Sequence, residues 1–323
     1  MHFEEAFSGQ FGQTLTAERA YELFWAGVID DKRAFQCPGD GCSAQITCAN
    51  LDVIEHDLKV QPHFRLYGQH GAGCPFDRER SAASVNATGA GGRTRTAQGL
   101  TRPDVFQLKR PADHFVRASI SLPNTGKSAT GKGSANHGSL VAGDARQRNF
   151  YSVGNVVSRW LALRKEGRLA ECQVQVGSIV TTYDRLFRGV YNQDAQKLEG
   201  TTHVYWGKAW VERMASGTGY RLRFNESLQV DGQSCRPSLL IFDDKIERYG
   251  LKNLLVRRMD AAIEKSKGAC VLFVLGAPTV VPDLDSATPT TPYARSFVNF
   301  KVPGLDMVEV RGLDLYEQLR REG

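Results

Sequence analysis

The 323-residue chain has no apolar run approaching the roughly 18 residues that a membrane-spanning helix needs. Its opening stretch, MHFEEAFSGQFGQTL, carries two acidic residues and no apolar h-region, which is not the pattern of a secretory signal peptide. A disulfide framework is missing as well. Seven cysteines is an odd number; four crowd between Cys37 and Cys74, while Cys172, Cys235 and Cys270 stand apart. That usage predicts a reducing, cytoplasmic compartment, and the lack of a long apolar run predicts no membrane partner. Catalytic signatures are scarce. His114 and His203 stand beside no serine or cysteine in a nucleophile motif, and no two carboxylates are placed to divide acid and base work. Gly126 to Lys132, GKSATGK, matches the start of a phosphate-binding loop, but Gly133 stands where the magnesium-binding hydroxyl belongs, and no apolar strand feeds it.

What is present is unevenly distributed. Hydrophobic residues make up only 41%, so part of the chain is expected outside any packed core. Two Gly/Ser/Ala-rich tracts flank a short island, DVFQLKRPADHFVRASISL, and neither tract offsets its own ordering entropy. Between Arg78 and Arg148 there are twelve basic residues and four acidic ones, a net of +8 that exceeds the +6 of the whole chain. Positive charge concentrated where apolar pattern is weakest suits a segment that meets a polyanion. The expected organisation is a helix plus zinc-ribbon unit over 1–78, a flexible basic middle over 79–148, a helical connector over 149–200 and a barrel over 201–323.

The sharpest motif is Cys37-Pro-Gly-Asp-Gly-Cys42, followed by Pro62-His63-Phe64 and His70-Gly-Ala-Gly-Cys74. Two short-spaced pairs of metal-ligating residues, separated by a β-rich stretch, are the pattern of a zinc ribbon. Glycines within each pair let the backbone fold so that side chains converge on one ion. Cys37, Cys42, His70 and Cys74 are the expected tetrahedral set, with His63 as the alternative ligand to His70. Three thiolates on one ion point to a structural site. A unit of some forty residues rarely supports its own core, and structural zinc supplies about 10–16 kcal/mol in small peptides. Cys48, beside Ile46 in an expected strand, reads as a buried thiol.

This arrangement, CPxxxC…PHF…HxxxC behind a short helix at residues 16–26, resembles the N-terminal zinc ribbon of the competence protein CoiA family. The resemblance covers about residues 17–78. It implies a bacterial DNA-transaction, mobile-element or defence setting. Members also carry a restriction-type nuclease core, which needs acidic residues and a lysine around a magnesium ion. That pattern is not found here: Asp243-Asp244-Lys245 reads as a turn closing the SLLIF strand, so only the ribbon is carried over.

From Thr202 the order is strand, strand, strand, helix, strand, strand: HVYWGKAWVER, GYRLRFN, PSLLIF, a helix near 247–265, ACVLFVLG and SFVNFKV. That is the order of an OB-fold, a five-stranded Greek-key barrel with one helix. Period-two alternation puts Trp206, Lys208 and Trp210 on one side of the first strand, and Arg221 and Arg223 on one side of the second. If they face outward together, they make a platform for unpaired nucleic acid, with rings to stack bases and cations to track phosphates; the alternative is that one or both tryptophans pack under a neighbouring helix. The expected protein is therefore α+β, with an N-terminal zinc ribbon, a flexible basic middle and a C-terminal OB-like barrel. Its expected function is non-catalytic binding of nucleic acid, single-stranded DNA above all. The alternatives are an interaction subunit that binds other proteins, or a diverged CoiA-like nuclease.

Overall fold

A computed structural model describes residues 4–54, 57–58, 60–77, 102–116, 148–283 and 295–321. Both glycine-rich tracts, and with them Gly126 to Lys132, lie outside the described residues, as does most of the basic excess.

The N-terminal region is a five-stranded antiparallel sheet with one helix. The strands are β1 (Glu5–Ser8), β2 (Gln13–Thr16), β3 (Phe35–Gln36), β4 (Gln45–Ala49) and β5 (His63–Leu66), in the order β2-β1-β3-β4-β5. Helix α1 (Ala17–Trp25) starts where expected: the Thr16 hydroxyl accepts from the Arg19 amide, satisfying a donor that the first turn leaves free. Its buried face, with Ala20, Tyr21 and Leu23, packs on Phe11, Leu15, Phe35, Ile46 and Phe64. Cys48 is fully buried in that core.

The island and the expected connector build one sheet together. Strand β6 (Asp104–Phe106) lies between β7 (Asn149–Phe150) and β8 (Gln173–Val176), parallel to both, and β8 turns back as β9 (Ile179–Thr182). Residues 149–200 are thus more than a helical connector. They hold helix α2 (Val153–Lys165), capped by the Ser152 hydroxyl, and the one-turn helix α3 (Tyr183–Leu186). Strand β10 (Phe187–Gly189) and the short α4 (Ala195–Leu198) follow.

The C-terminal half is a closed five-strand barrel. Strands β11 (His203–Arg213) and β12 (Gly219–Phe224) are followed by a small hairpin, β13 (Leu228–Val230) and β14 (Gln233–Cys235), and then by β15 (Ser238–Phe242). Helices α5 (Asp243–Glu247) and α6 (Lys252–Ser266) precede the long β16 (Ala269–Asp283), and β17 (Arg295–Lys301) completes the set. The order around the barrel is β11-β12-β15-β17-β16 and back to β11, with β15 and β17 parallel. Strand β16 closes the cylinder by changing partner: Ala269 to Gly276 pair with β11, and Ala277 to Asp283 pair with β17. Strands β10 and β18 (Val308–Arg311) extend the sheet, and α7 (Asp314–Arg321) follows.

The burial pattern accounts for the composition of these strands. Tyr205, Ala209 and Val211 of β11 and Tyr220, Leu222 and Phe224 of β12 point into the barrel. In β16, Cys270, Leu272 and Val274 face that interior, while Val271, Phe273 and Leu275 face a second core under α2. Covered on both sides, that strand reads as an unbroken apolar run. Helix α6 is two-faced as well. Leu255, Met259 and Ala262 pack on the barrel, and Leu254 and Ala261, with Leu251 just before the helix, pack into the N-terminal core. The core of the N-terminal region is therefore larger than its own length supplies, because α6 contributes to it. Among the described residues, no helix is long and apolar enough to cross a membrane.

Candidate metal centre and outer barrel face

Cys37 follows the short strand β3, and the chain doubles back through Cys42 into β4. Two hydrogen bonds fix that loop: the Cys37 amide donates to the Ala44 carbonyl at 2.9 Å, and the Cys42 amide to the Gly39 carbonyl at 3.0 Å. The second loop follows β5, where the Cys74 amide donates to the Gly71 carbonyl at 3.1 Å. Gly41 and Gly73 both have left-handed φ, at 68° and 82°, so the turns need residues without a Cβ.

These loops bring Cys37, Cys42, His70 and Cys74 together, their ligand atoms all within 4.8 Å of one another. The Sγ atoms of Cys37 and Cys74 are 3.7 Å apart, and His70 Nδ1 lies 3.5 Å from Cys42 Sγ and 3.4 Å from Cys74 Sγ. A tetrahedral ion with metal–sulfur bonds of about 2.3 Å and metal–nitrogen bonds of about 2.05 Å has ligand edges of about 3.8 and 3.6 Å. The cluster has nearly those edges and could hold a metal ion. All three thiols are buried. Burial pushes the Cys37 thiol up to about 12, with the Cys74 and Cys42 sulfurs adding to the effect. Burial opposes ionisation at Cys42 too, but the Gly71 and Ala44 amides and the His70 ring outweigh it and hold the thiol at about 6. One sulfur is therefore ready as a thiolate, and an arriving cation would displace the proton from Cys37.

His63 lies outside this cluster. Its Nδ1 is 2.8 Å from the Gln61 carbonyl, and its Nε2 accepts from Arg65 Nε at 2.8 Å. Both ring nitrogens are occupied at the start of β5, which leaves His70 as the histidine facing the three thiols.

On the barrel, the structure divides the residues expected to meet nucleic acid. Lys208, Trp210, Arg221 and Arg223 share an outer face. Trp210 stands opposite Arg223, and Glu212 opposite Arg221. Trp210 is 39% exposed, with Lys208 Nζ 5.4 Å from its ring centre. Arg221 is partly neutralised by Glu212 at 3.3 Å, whereas Arg223 has no carboxylate partner among the described residues. Trp206 is not part of that open face. Although it has the same strand parity, α2 roofs it: its ring lies 5.9 Å from Trp160 and 6.4 Å from Phe273, centre to centre.

Three large apolar side chains that alternation on β11 and β12 did not reveal join the face. Leu240 stands opposite Arg221, Phe242 opposite Gly219, and Phe297 lies on the neighbouring β17; they are 42%, 45% and 54% exposed. SLLIF carried the signal, because a barrel strand that buries Leu239 and Ile241 must turn Leu240 and Phe242 outward. Asp243 and Asp244 open helix α5 instead of forming a turn, and Asp243 lies 3.6 Å from Arg213.

In comparisons with known proteins, no family model, curated protein or solved structure matches the chain.

Proposed function

We propose that this chain is a non-catalytic nucleic-acid-binding protein that takes single-stranded DNA on the outer face of its barrel and carries a structural zinc ion in its N-terminal loops. The observation that carries the reading is the run of exposed groups across β11, β12, β15 and β17. Trp210, Phe242 and Phe297 offer rings, and Lys208 and Arg223 offer cations not committed to a carboxylate. Aromatic groups stack bases whatever their sequence, and cations follow the phosphates. The closed barrel, with its third and fifth strands parallel and α6 between its third and fourth, reads as OB-like. In such barrels the face of the second and third strands is the usual place for an oligonucleotide. Three cysteines and a histidine are a preferred donor set for structural zinc, closed to substrate. The CoiA-type ribbon remains a motif-level likeness, and the bacterial DNA-transaction or defence setting rests on it alone.

A hollow of about 350 Å³ beside the metal loops gives the N-terminal sheet a similar chemistry, with Arg33, Arg65 and Tyr67, which is 74% exposed. It would serve as a second contact for the same strand.

The test is fluorescence anisotropy with labelled single-stranded and duplex DNA between about 50 and 200 mM salt. Binding should prefer the single strand and weaken with salt. Trp210→Ala should lower affinity about 5- to 150-fold, the range for one lost stacking contact of about 1–3 kcal/mol. Arg223→Gln should flatten the slope of log affinity against log salt by about 0.7. Trp206→Ala is the internal control, expected to lower stability because its ring packs under α2. Absence of binding at 50 mM salt, or an unchanged affinity in Trp210→Ala, would reject the reading. The apolar Leu240, Phe242 and Phe297 would then mark a docking face for another protein subunit.

A further inference from the structure

At the other end of β11 from Trp210, a hollow of about 530 Å³ opens between β9, α3, β10 and the first residue of β11. Its size lies within the range of small-molecule sites, roughly 300–1,000 Å³. Its lining is chemically mixed in a specific way. Arg185 and Arg188 are both exposed, and neither has a carboxylate partner among the described residues. The hydroxyls of Thr181 and Thr202 add two donors that also accept. Asp184 lies on the same wall, its carboxylate accepting from the Thr182 hydroxyl. Ile179, 52% exposed, forms an apolar flank.

His203 also lines the hollow: its Nδ1 lies 3.2 Å from the Arg185 carbonyl oxygen, and its ring meets Tyr205 edge-on. Burial and the neighbouring Arg188 charge lower its proton affinity. The positive charge of the hollow therefore comes from the two arginines.

We infer that this hollow is a binding site for a nucleoside bearing a terminal phosphate. Paired guanidinium groups are the side chains best suited to a phosphate monoester, which they hold through parallel, charge-assisted hydrogen bonds. An ionised aspartate only accepts hydrogen bonds, so Asp184 repels a bare anion but suits the hydroxyls of a sugar. Ile179 then has a base to cover. A bare phosphate would use the arginines and leave the other two features without a role. The site stands apart from the stacking face, and it needs neither Trp210 nor an extended strand. Two sources supply the same chemistry, a free nucleotide and the 5′ end of a nucleic-acid strand.

Calorimetry on the full chain with AMP, adenosine and inorganic phosphate tests the inference, alongside anisotropy with 5′-phosphorylated and 5′-hydroxyl oligonucleotides. AMP should bind at least about tenfold more tightly than adenosine, since a hydrogen bond to a charged group contributes about 1.5–3 kcal/mol. The double variant Arg185→Gln, Arg188→Gln should lose at least about tenfold in AMP affinity for each arginine, by the same magnitude. Its thermal unfolding should not move, because both side chains are exposed. Asp184→Asn should reduce the preference for AMP over deoxy-AMP. AMP binding with no effect of the strand's 5′ phosphate assigns the site to free nucleotides. Strand binding strengthened by the 5′ phosphate, and no longer so in the double variant, assigns it to strand ends. If AMP gives no heat at millimolar concentration and the 5′ phosphate has no effect, the inference is wrong. It is also wrong if the double variant keeps its AMP affinity.

Discussion

Glu22 joins several parts of this molecule, and its ionisation gives a quantitative test. It sits on α1, almost fully buried, and accepts hydrogen bonds from Arg110 at 2.5 and 3.1 Å, from His114 Nε2 at 2.9 Å and from Asn155 at 3.0 Å. Arg110 reaches on to Asp306 at 2.9 Å, and Tyr249 donates to Asp306 at 2.7 Å. One carboxylate thus ties the N-terminal helix to the 102–116 segment and to α2, and through Arg110 to the barrel. Burial alone would push its carboxyl up, but the hydrogen bonds and charges of His114 and Arg110 outweigh it and hold the group at about 2 against an ordinary 4.5.

A carboxyl depressed that far stabilises the folded state by about 3 kcal/mol at neutral pH. The contribution is complete above pH 4.5 and is lost as pH falls from 4.5 towards 2. Glu22→Gln keeps the shape and removes the charge. Urea unfolding of both proteins at pH 7, 5, 4 and 3 should show the wild type more stable by about 3 kcal/mol at pH 7 and by only about 1 at pH 3. A gap that stays constant from pH 7 to pH 3 would refute the reasoning, because the carboxylate would then not be what Arg110 and His114 hold.

Two further outcomes follow from the metal centre and the barrel. Elemental analysis should find one metal ion per chain, and a chelator should make three further thiols, Cys37, Cys42 and Cys74, reactive to a thiol reagent while the buried Cys48 and Cys270 stay slow; the same reactive-thiol count with and without chelator would sink the site. Gly219 opens β12 at φ 142°, where an added Cβ would lie 2.1 Å from the Ile241 carbonyl oxygen of β15. Gly219→Ala should therefore cost at least about 2 kcal/mol in thermal unfolding, and an unchanged midpoint would show that the two strands are not so close.

The parts of the fold that were legible in the sequence are those whose signal is local. All five barrel strands announced themselves by alternation or by an apolar run, and Thr16 and Ser152 stand at the helix starts because a cap needs a short oxygen side chain. The four clustered metal-ligating residues were legible because close pairs beside turn glycines have few other reasons to occur. Non-local facts were not legible. DVF is three residues long and becomes a strand only between β7 and β8, which the chain supplies much later. Trp206 and Trp210 share a strand and a parity, and only the position of α2 separates a roofed ring from an open one. His63 opens β5 while His70 lies in the loop that follows, and the contact that occupies His63, Arg65 reaching back to it, has no local signature.

The role of the metal ion changes once α6 is in view. A unit of this length rarely supports its own core, which suggested that zinc helps it to fold. Yet Leu251, just before α6, and Leu254 and Ala261 within it complete that core from the far side, with Leu23, Phe35, Ile46 and Phe64 fully buried in the same cluster. The Glu22–Arg110–Asp306 chain fastens the same two regions by charge. An ion held by Cys37, Cys42, His70 and Cys74 would then govern the shape of two loops, 37–44 and 67–74, and with them the surface beside Tyr67. Chelation should accordingly speed hydrogen exchange at the Cys37, Cys42 and Cys74 amides while leaving β11 and β16 protected. Loss of protection throughout the N-terminal sheet would restore the metal to the role its sequence first suggested, as the condition for folding at all.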